Sequence, residues 1–300
     1  MNAIEIRNLS KSFRGMYAVD KLNMTVPQGA IYGFIGENGS GKSTTEKLIC
    51  GHLVPDGGEI KLFGKNYTDA GVRVRVGALI ESAGCFPNSS VRANLMMQAI
   101  NLGLPNREEE INRVLKIVRM EDNAGLRFKS CSLGMKQRIG IAMALLGDPA
   151  LLILDEPING LDTDGMRIMR EILVDITRNL GCTVLISSHI LGELEKIATH
   201  YGIIRQGRMV CEISAEEMDA RSRSFISLKT GDMSGAKGVL RDMFYNVKEE
   251  DGYLKIYDAD DTEAIVGLLL KNGYSVSEIV NNKIGLEEYY IEIMSKKEAV

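Results

Sequence analysis

The chain has 300 residues, of which 45% are hydrophobic and 25% are charged, and its formal net charge is −4. These values indicate a folded protein of one large or two smaller domains. The net negative charge and the lack of a dense lysine and arginine block give no support for nucleic-acid binding. The longest apolar run, at 139–147, is about half of a membrane span. The first apolar stretch contains Glu5 and Arg7, so we do not expect a signal peptide.

The predicted elements of the first half surround one glycine-rich loop. Strands are predicted at 3–9, 22–26 and 30–35, and further short strands at 57–64 and 76–80. A helix is predicted to begin near Thr45, and the spacing of apolar residues from 91 to 147 is mostly helical. The loop between the third strand and the first helix consists of Gly36, Glu37, Asn38, Gly39, Ser40, Gly41, Lys42, Ser43 and Thr44.

This loop predicts a P-loop, a backbone cradle for phosphates. Its glycines let successive N–H groups point at phosphate oxygens, and the helix N-terminus adds partial positive charge. Lys42 can reach the β- and γ-phosphates, and the Ser43 hydroxyl can ligate Mg²⁺. The alternative is a glycine-rich turn before an ordinary helix. It is disfavoured because the strand before the loop and the Lys-Ser pair within it are both present.

Two apolar runs in the second half, at 150–154 and 183–187, are typical of parallel strands buried on both faces. Ligands bind at the carboxyl ends of such strands. Asp155 is therefore placed to hold Mg²⁺, and Glu156 to orient or deprotonate an attacking water. His189 follows the second strand, where we expect a γ-phosphate contact. A solvated Asp-Glu turn and a packing histidine are the alternatives, and the P-loop in the same chain disfavours both.

The pattern of the sequence changes near residue 215. Strand-like segments at 225–229 and 253–257 alternate with helix-like segments at 236–244 and 262–272, before a final strand and an amphipathic helix. We therefore predict two domains. The first covers 1–214 and contains a helical part at about 85–147, and the second is a small α+β accessory domain at 215–300, whose role stays open.

The order of these motifs resembles the nucleotide-binding subunit of ABC transporters over residues 1 to about 213. The family signature, LSGGQ followed by KQR, reads here as Cys131-Ser132-Leu133-Gly134-Met135-Lys136-Gln137-Arg138. The resemblance implies an α/β P-loop NTPase fold, with a RecA-like core sheet and a helical subdomain. It also implies ATP hydrolysis with Mg²⁺ and a homodimer that encloses ATP head to tail.

Further site residues follow from the same resemblance. Ser132 and Gly134 are expected to face the γ-phosphate bound to the other chain, and a helix N-terminus of this kind suits an anion. Phe13 is expected to stack on adenine, with a core aromatic as the alternative. Glu81 stands where most members carry a glutamine that touches Mg²⁺, so we expect a metal contact there. A neutral substitution at this position is the alternative.

The segment Leu79-Ile80-Glu81-Ser82, the signature variant and the C-terminal extension resemble the bacterial subgroup that exports bacitracin- and lantibiotic-like peptides. The resemblance implies a cytoplasmic ATPase, held at the inner face of the cell membrane by a separate permease that contacts residues 82–98. It implies export of an antimicrobial peptide or another amphiphile.

One alternative stays open, a soluble ABC ATPase of DNA repair or of ribosomes, although such proteins usually carry two cassettes or coiled-coil insertions. A non-hydrolysing regulatory subunit is disfavoured, because it would lack Lys42, Asp155 or Glu156, and all three are present. The transported substrate and the direction of transport also stay open.

Overall fold

The computed structural model describes residues 1–221, 224–244, 246–257, 259, 261–283 and 285–296. The chain divides into two compact units, Met1–Ala215 and Glu216–Val300. The strands are β1 Asn2–Phe13, β2 Met16–Pro27, β3 Ile31–Ile35, β4 Gly57–Leu62, β5 Lys65–Asn66, β6 Val76–Leu79, β7 Leu151–Asp155, β8 Thr183–Ser188, β9 His200–Arg205, β10 Arg208–Ser214, β11 Ser224–Thr230, β12 Val247–Glu250, β13 Tyr253–Tyr257 and β14 Val276–Lys283. The helices are α1 Lys42–Ile49, α2 Ala70–Arg73, α3 Val91–Asn101, α4 Arg107–Ile117, α5 Leu133–Leu145, α6 Thr163–Leu180, α7 Leu191–Leu194, α8 Ala215–Arg221, α9 Met233–Arg241, α10 Thr262–Lys271 and α11 Leu286–Lys296, with 3-10 turns at Glu121–Asn123 and Phe128–Ser130.

The first unit is built on two sheets. An antiparallel sheet has the strand order β2-β1-β4-β5, and a central sheet has the order β10-β9-β3-β8-β7-β6. The central strands from β9 to β6 are parallel, and β10 alone pairs antiparallel. Side chains of both sheets and of α1 share one buried core, which includes Ile4, Phe34, Leu48, Leu151 and Leu185. Because β3, β7 and β8 are buried on both faces, their sequences are almost wholly apolar.

The hairpin of β1 and β2 is longer than the sequence pattern predicts. Each strand has 12 residues, and the pairing continues to Phe13 opposite Met16. Arg14 and Gly15 form the turn with positive φ angles of 51° and 84°, which suits a two-residue hairpin. The outer half of the hairpin is partly exposed and carries polar residues, so it lacks the apolar alternation that marks a half-buried strand.

Helices α3, α4 and α5 form the helical part of the first unit. Ser90 and Ser132 cap α3 and α5, and each side chain accepts a hydrogen bond from an N–H three residues on. Helix α5 packs closely on β6, because a Cβ at Gly140 would lie 2.8 Å from Leu79 Cδ1. None of the helices in the described ranges combines the length and apolar character that a membrane-spanning segment requires.

The second unit has the strand order β12-β13-β11-β14, with all neighbours antiparallel. With α9 and α10 this is the split β-α-β-β-α-β arrangement of ferredoxin-like folds. Its core includes Ile226, Leu228, Leu240, Leu254 and Ile265. The sequence pattern missed β12, because three of its four residues are charged, as is usual at a sheet edge. Helix α9 begins at Met233 rather than 236, because the Asp232 side chain accepts a hydrogen bond from Gly235 N–H.

Candidate nucleotide site

The candidate site lies at the carboxyl ends of four neighbouring parallel strands, β3, β8, β7 and β6. Ile35 pairs with Ser188 and Asp155 with Ser187, and Leu79 pairs with Leu154. The loops that follow these strands therefore start at one edge of the sheet. They are the glycine-rich loop and the segments that begin at Ile80, Glu156 and His189.

The glycine-rich loop connects β3 to α1. Gly39 and Gly41 have φ angles of 79° and 95°, which only glycine adopts without strain. A Cβ at Gly36 would lie 2.5 Å from Ser40 Oγ, so this position has no room for a side chain. Lys42 Nζ donates to the Gly36 carbonyl at 2.9 Å and folds back across the loop. The loop is a cradle of backbone N–H groups with one buried cation, which suits a polyphosphate.

Helix α1 begins at Lys42, not near Thr45 as the sequence pattern suggested. The pattern placed the start late because Lys42, Ser43 and Thr44 are polar and carry no helical periodicity. The earlier start puts the backbone N–H groups of these three residues in the first turn, where they lack intrahelical partners. Positive partial charge therefore lies directly at the end of the loop.

The hairpin of β1 and β2 rests on this loop through backbone contacts. A Cβ at Gly41 would lie 2.1 Å from the Ala18 carbonyl oxygen. Gly207 N–H donates to the Ser40 carbonyl at 2.8 Å, and Asp20 N–H donates to the Gly207 carbonyl at 2.9 Å. Phe13 ends β1 with 45% of its surface exposed. It is therefore an accessible ring on a hairpin that touches the phosphate loop, not a core aromatic.

Glu156 is the centre of the polar cluster. Its Oε1 lies 3.7 Å from Lys42 Nζ, and its Oε2 lies 3.0 Å from His189 Nδ1. The Asn159 amide also donates to Oε2 at 3.0 Å. The backbone at Glu156 has a φ of 47°, which is unusual for a residue with a side chain, and its N–H donates to Ser187 Oγ at 3.1 Å. The structure thus brings together three predicted residues, Lys42, Glu156 and His189.

Asp155 lies at the end of β7 and is oriented by Ser187, whose hydroxyl donates to its Oδ1 at 2.9 Å. Ser43 lies in the first turn of α1. A carboxylate and a hydroxyl are hard oxygen ligands of the kind that Mg²⁺ prefers, and this ion usually keeps several waters and binds substrate phosphates. The donor set at Ser43 and Asp155 therefore fits a magnesium ion bound beside the P-loop.

Glu46 is a buried carboxyl group that the sequence analysis did not single out. It is fully buried, and neither carboxyl oxygen has a hydrogen-bond partner within the described residues. Burial, together with the nearby Asp155 carboxylate, raises the pKa of Glu46 to about 8. The position lies in α1, three residues beyond Ser43, on the side of the helix that faces the core. Burying a charged carboxylate at this position would cost folding free energy. We therefore attribute Glu46 to the needs of the site rather than to those of the fold.

The signature segment is separate from the P-loop within one chain. Ser132 Oγ accepts from Met135 N–H at 3.3 Å, which caps α5. A Cβ at Gly134 would lie 3.6 Å from Leu161 Cδ2, and a Cβ at Gly160 would lie 3.1 Å from Leu133 Cδ2. In the described part of the chain, no hydrogen bond joins the signature to the P-loop. The start of α5 instead contacts the loop that follows Glu156.

The side chain of Glu81 pairs with a lysine of α1. Its carboxylate lies 2.6 Å from Lys47 Nζ, and its side chain is 68% exposed. Within the described residues, no hydrogen bond or ion pair connects Glu81 with Ser43 or Asp155. Its φ of 65° marks a left-handed backbone turn directly after β6. The ion pair links this turn to α1, the helix that carries Lys42 and Ser43.

Sequence reasoning missed three residues of the cluster. Asn159 and Ser187 hold Glu156 and Asp155, and Glu46 lies under Asp155. Ser187 could have been noticed, because it is a serine that ends the apolar run of β8, beside the expected strand end at Asp155. Glu46 could also have been noticed as a charge on the expected apolar side of α1. Asn159 gave no signal, because asparagine before glycine is an ordinary turn sequence.

Comparison with known proteins adds three likenesses. The family model described as ABC transporter matches residues 19–159. The bacitracin transport ATP-binding protein BcrA of Bacillus licheniformis is 35% identical over 298 residues, covering 97% of each chain. The lantibiotic transport ATP-binding protein SrtF of Streptococcus pyogenes is 38% identical over 209 residues, covering 70% of this chain and 90% of that protein.

Among solved structures, cbiO1 from Clostridium perfringens, described as part of the ABC transporter complex cbiONQ, has a TM-score of 0.67 and 27% identity. The likeness covers 73% of this chain and 91% of that one. The fold class predicted from the sequence, an α/β P-loop NTPase cassette, is confirmed. The chain belongs to the ABC transporter family and is an ATP-binding, ATP-hydrolysing subunit of that family.

Proposed function

We propose that this chain drives export of an antimicrobial peptide or a similar amphiphile through a separate membrane permease. The observation that carries the proposal is the likeness to the bacitracin transport protein over 97% of both chains. Because it covers 97% of this chain, that likeness extends into the second unit. A chain that shares its whole length with a peptide transporter subunit is expected to serve the same kind of complex.

ATP is held from two sides in this proposal. The exposed ring of Phe13 stacks on adenine, since aromatic faces bind bases with little dependence on their identity. The backbone of the P-loop and the Lys42 ammonium surround the phosphates. The residues assigned to the phosphates are Gly36, Glu37, Asn38, Gly39, Ser40, Gly41, Lys42, Ser43 and Thr44.

Glu156 is the general base of the proposed hydrolysis. His189 and Asn159 fix its Oε2, which leaves the carboxylate oriented toward the Lys42 ammonium and the end of the phosphate loop. His189 Nε2 has no hydrogen-bond partner among the described residues, and it can donate to the γ-phosphate when both ring nitrogens carry a proton. Magnesium, held by Ser43 and Asp155, would neutralise phosphate charge. Whether Glu81 joins that set depends on release of its ion pair with Lys47.

Two chains complete each site in the proposed assembly. The start of α5 presents Ser132 and the Gly134 N–H at a helix N-terminus, which suits an anion, yet it is not joined to the P-loop of its own chain. A head-to-tail homodimer would bring this segment to the γ-phosphate of the partner. Leu133 and Met135 depart from the family signature but do not replace these donors.

The permease is proposed to dock at a cleft of the first unit. The cleft has a volume of 330 Å³ and lies between β6 and the helical part, lined by Val76, Leu79, Ser82, Gln98, Leu102 and Met143. It opens beside the turn at Glu81 and includes both ends of the predicted contact segment, 82–98. A cytoplasmic helix of the permease seated there would sense movement of that turn.

The proposal is tested by purifying tagged candidate permeases from cells that co-express this chain. Cells with the pair should survive a higher concentration of bacitracin or a lantibiotic than cells with either protein alone. A permease paired with the Glu156→Gln chain is the matched control and should give no protection. Failure of any permease to bind, together with stable binding to ribosomes or DNA, would support the soluble alternative instead.

A further inference from the structure

The end of β1 is held by one side chain from a distant segment. Asp56 precedes β4, and its carboxylate accepts three hydrogen bonds from the two residues before Phe13. Lys11 Nζ donates to Oδ1 at 2.8 Å, while Ser12 N–H and Ser12 Oγ donate to Oδ2 at 2.7 and 2.8 Å. The backbone of Asp56 is fixed as well, because its N–H donates to the Ser10 carbonyl at 2.8 Å.

These bonds replace sheet pairing that is missing at this point. The ladder between β1 and β4 is irregular between Arg7 and Ser10, and its last pair joins Ser10 to Gly57. Beyond Ser10, no strand in the described part of the chain pairs with the β4 side of β1, and the hairpin continues to Phe13 by pairing with β2. The Asp56 carboxylate therefore supplies the last fixed contacts on the β4 side before the exposed ring.

The same contacts place a cation at the ring. Lys11 Nζ lies 5.5 Å from the centre of the Phe13 ring while it is bound to Asp56. A cation over an aromatic face is attracted by the ring quadrupole. The hydrogen bonds from Lys11 and Ser12 lower the pKa of Asp56 to about 2, so the carboxylate is charged at any working pH. The three hydrogen bonds that the Asp56 carboxylate accepts, called the clamp below, are therefore not released by protonation of Asp56 at a working pH.

We propose that Asp56 is a positioning residue for recognition of the nucleobase, because it fixes Lys11 and Ser12 and thereby the Phe13 ring that stacks on the base. The inference rests on the proposed stacking of Phe13. Among the described residues, Asp56 has no hydrogen bond or ion pair with the phosphate loop, and its polar contacts are with Ser10, Lys11 and Ser12. Its effect should therefore be confined to the base and should not reach the phosphates.

The expected consequence is a loss of base-dependent affinity. Without the clamp the hairpin end samples several conformations, and ATP must order it on binding, at a cost of about tenfold in affinity. Tripolyphosphate has no base, so its affinity should stay unchanged. The ratio of the two affinities separates a positioning role from general damage to the fold.

The experiment is titration calorimetry on the full chain with Mg²⁺ and either ATP or tripolyphosphate. The variants are Asp56→Ala, Phe13→Ala and the double variant, with Glu59→Ala as the matched control. Glu59 is a nearby exposed carboxylate whose ion pair, with Lys61 at 3.1 Å, involves neither Lys11 nor Ser12. We expect Asp56→Ala and Phe13→Ala each to lower the affinity for ATP but not the affinity for tripolyphosphate. The double variant should bind ATP no more weakly than Phe13→Ala does.

Three results would overturn the inference. In the first, Asp56→Ala weakens ATP and tripolyphosphate equally, which would mark a structural role. In the second, Asp56→Ala leaves the affinity for ATP unchanged while Phe13→Ala lowers it, which would show that Phe13 stacks on the base without help from Asp56. In the third, Phe13→Ala leaves ATP affinity intact, which would remove the proposed stacking itself and the positioning role with it. A Tyr17→Ala chain then tests the other exposed aromatic of the hairpin.

Discussion

At the scale of single residues, Glu156 is restrained more than any other group of the cluster. Lys42, His189 and Asn159 approach its two carboxyl oxygens, and its backbone is held in a left-handed conformation by Ser187. Such strain persists only where the surroundings enforce it, and it is common at active sites. The geometry therefore favours Glu156 over Asp155 as the group that acts on water.

Glu156→Gln should keep ATP binding and lose turnover by a factor of about 100 or more, because a positioned general base is removed while the shape is kept. Phosphate release measures turnover, and gel filtration with ATP should show a stable dimer. Lys42→Ala is the contrasting variant, since it removes charge at the phosphates and should weaken nucleotide binding itself. Wild-type phosphate release by the Gln variant would exclude Glu156 as the base.

Glu46 makes a prediction about pH. The pKa of the Glu46 carboxyl is about 8 in the folded chain, and its ordinary value of 4.5 applies in the unfolded chain. Between these values the unfolded chain releases a proton that the folded chain keeps, so the free energy of unfolding falls as pH rises from 5 to 8. The limiting slope is about 1.4 kcal/mol per pH unit. Glu46→Gln should remove this dependence and become more stable than wild type at pH 8, by on the order of 4 kcal/mol.

Urea unfolding of both chains at pH 5, 6.5 and 8, without nucleotide or Mg²⁺, measures this difference. The two chains should be closest in stability at pH 5 and furthest apart at pH 8. Parallel dependence of both chains on pH would show that Glu46 is ionised in the fold and has a partner. Glu193→Gln is a useful control, because that carboxylate is buried but bound to Arg170 and Lys196.

At the scale of elements, the turn after β6 is linked to α1 by the ion pair of Glu81 with Lys47. The pair is largely exposed, so its contribution to stability is small. Glutamine at this position could hydrogen-bond but would carry no charge. The carboxylate is therefore expected to matter for the link between nucleotide and permease rather than for the fold.

Glu81→Gln should largely spare hydrolysis by the isolated subunit and should reduce the protection that the assembled complex gives against peptide. Glu81→Ala should reduce it further, since both charge and amide are absent. Peptide survival assays at matched expression measure the effect. Equal protection by wild type, Gln and Ala chains would mark Glu81 as a neutral substitution and weaken the assignment to the peptide-export subgroup.

The sequence predicted the helices and strands well wherever burial produces a clear pattern of apolar residues. Strands β3, β7 and β8 were found because both faces are covered, and the fold class followed from them. Strand β12 and the outer half of β1 were missed, because edge and exposed positions are polar. The start of α1 was misplaced because Lys42, Ser43 and Thr44 are polar and show no helical spacing of apolar residues.

The site was predicted in part, because its motifs combine local spacing with a known strand-end geometry. The approach of Lys42, Glu156 and His189 follows from adjacent parallel strands. The supporting roles of Asn159 and Asp56 could not be predicted, because Asp56 acts through a contact between segments far apart and Asn159 through a turn of ordinary sequence. The catalytic and binding roles themselves stay predictions.

At the scale of the whole molecule, the proposed head-to-tail dimer predicts that the signature of one chain completes the P-loop site of the other. Mixing Ser132→Arg chains with Lys42→Ala chains puts both defects in one shared site of each mixed dimer and leaves the other site intact. A random mixture should then recover up to about a quarter of wild-type hydrolysis, because half of the dimers are mixed and each has one working site. Phosphate release measures the recovery.

Each variant alone is the control for this mixture and should be nearly inactive. A mixture as inactive as its components would argue that each site is completed within one chain. If the recovered hydrolysis disappears when the two variants are prevented from forming mixed dimers, the mixed dimer is the active species. Leu133 lies close to Gly160, so the start of α5 packs against the loop after Glu156.

The contact of Gly41 with the Ala18 carbonyl has a consequence for the choice of ligand. Because a Cβ at Gly41 would lie 2.1 Å from the Ala18 carbonyl oxygen, the main chains of the hairpin and of the phosphate loop pack directly against each other there. The spacing between the two is set by the fold at this point, while the position of the Phe13 ring depends on the contacts of Asp56. We expect nucleotides to be selected by the length of the ribose and phosphate chain that spans this spacing. A methyl group added at residue 41 would clash with the Ala18 carbonyl and force the hairpin away from the loop, so we expect Gly41→Ala to alter that selection.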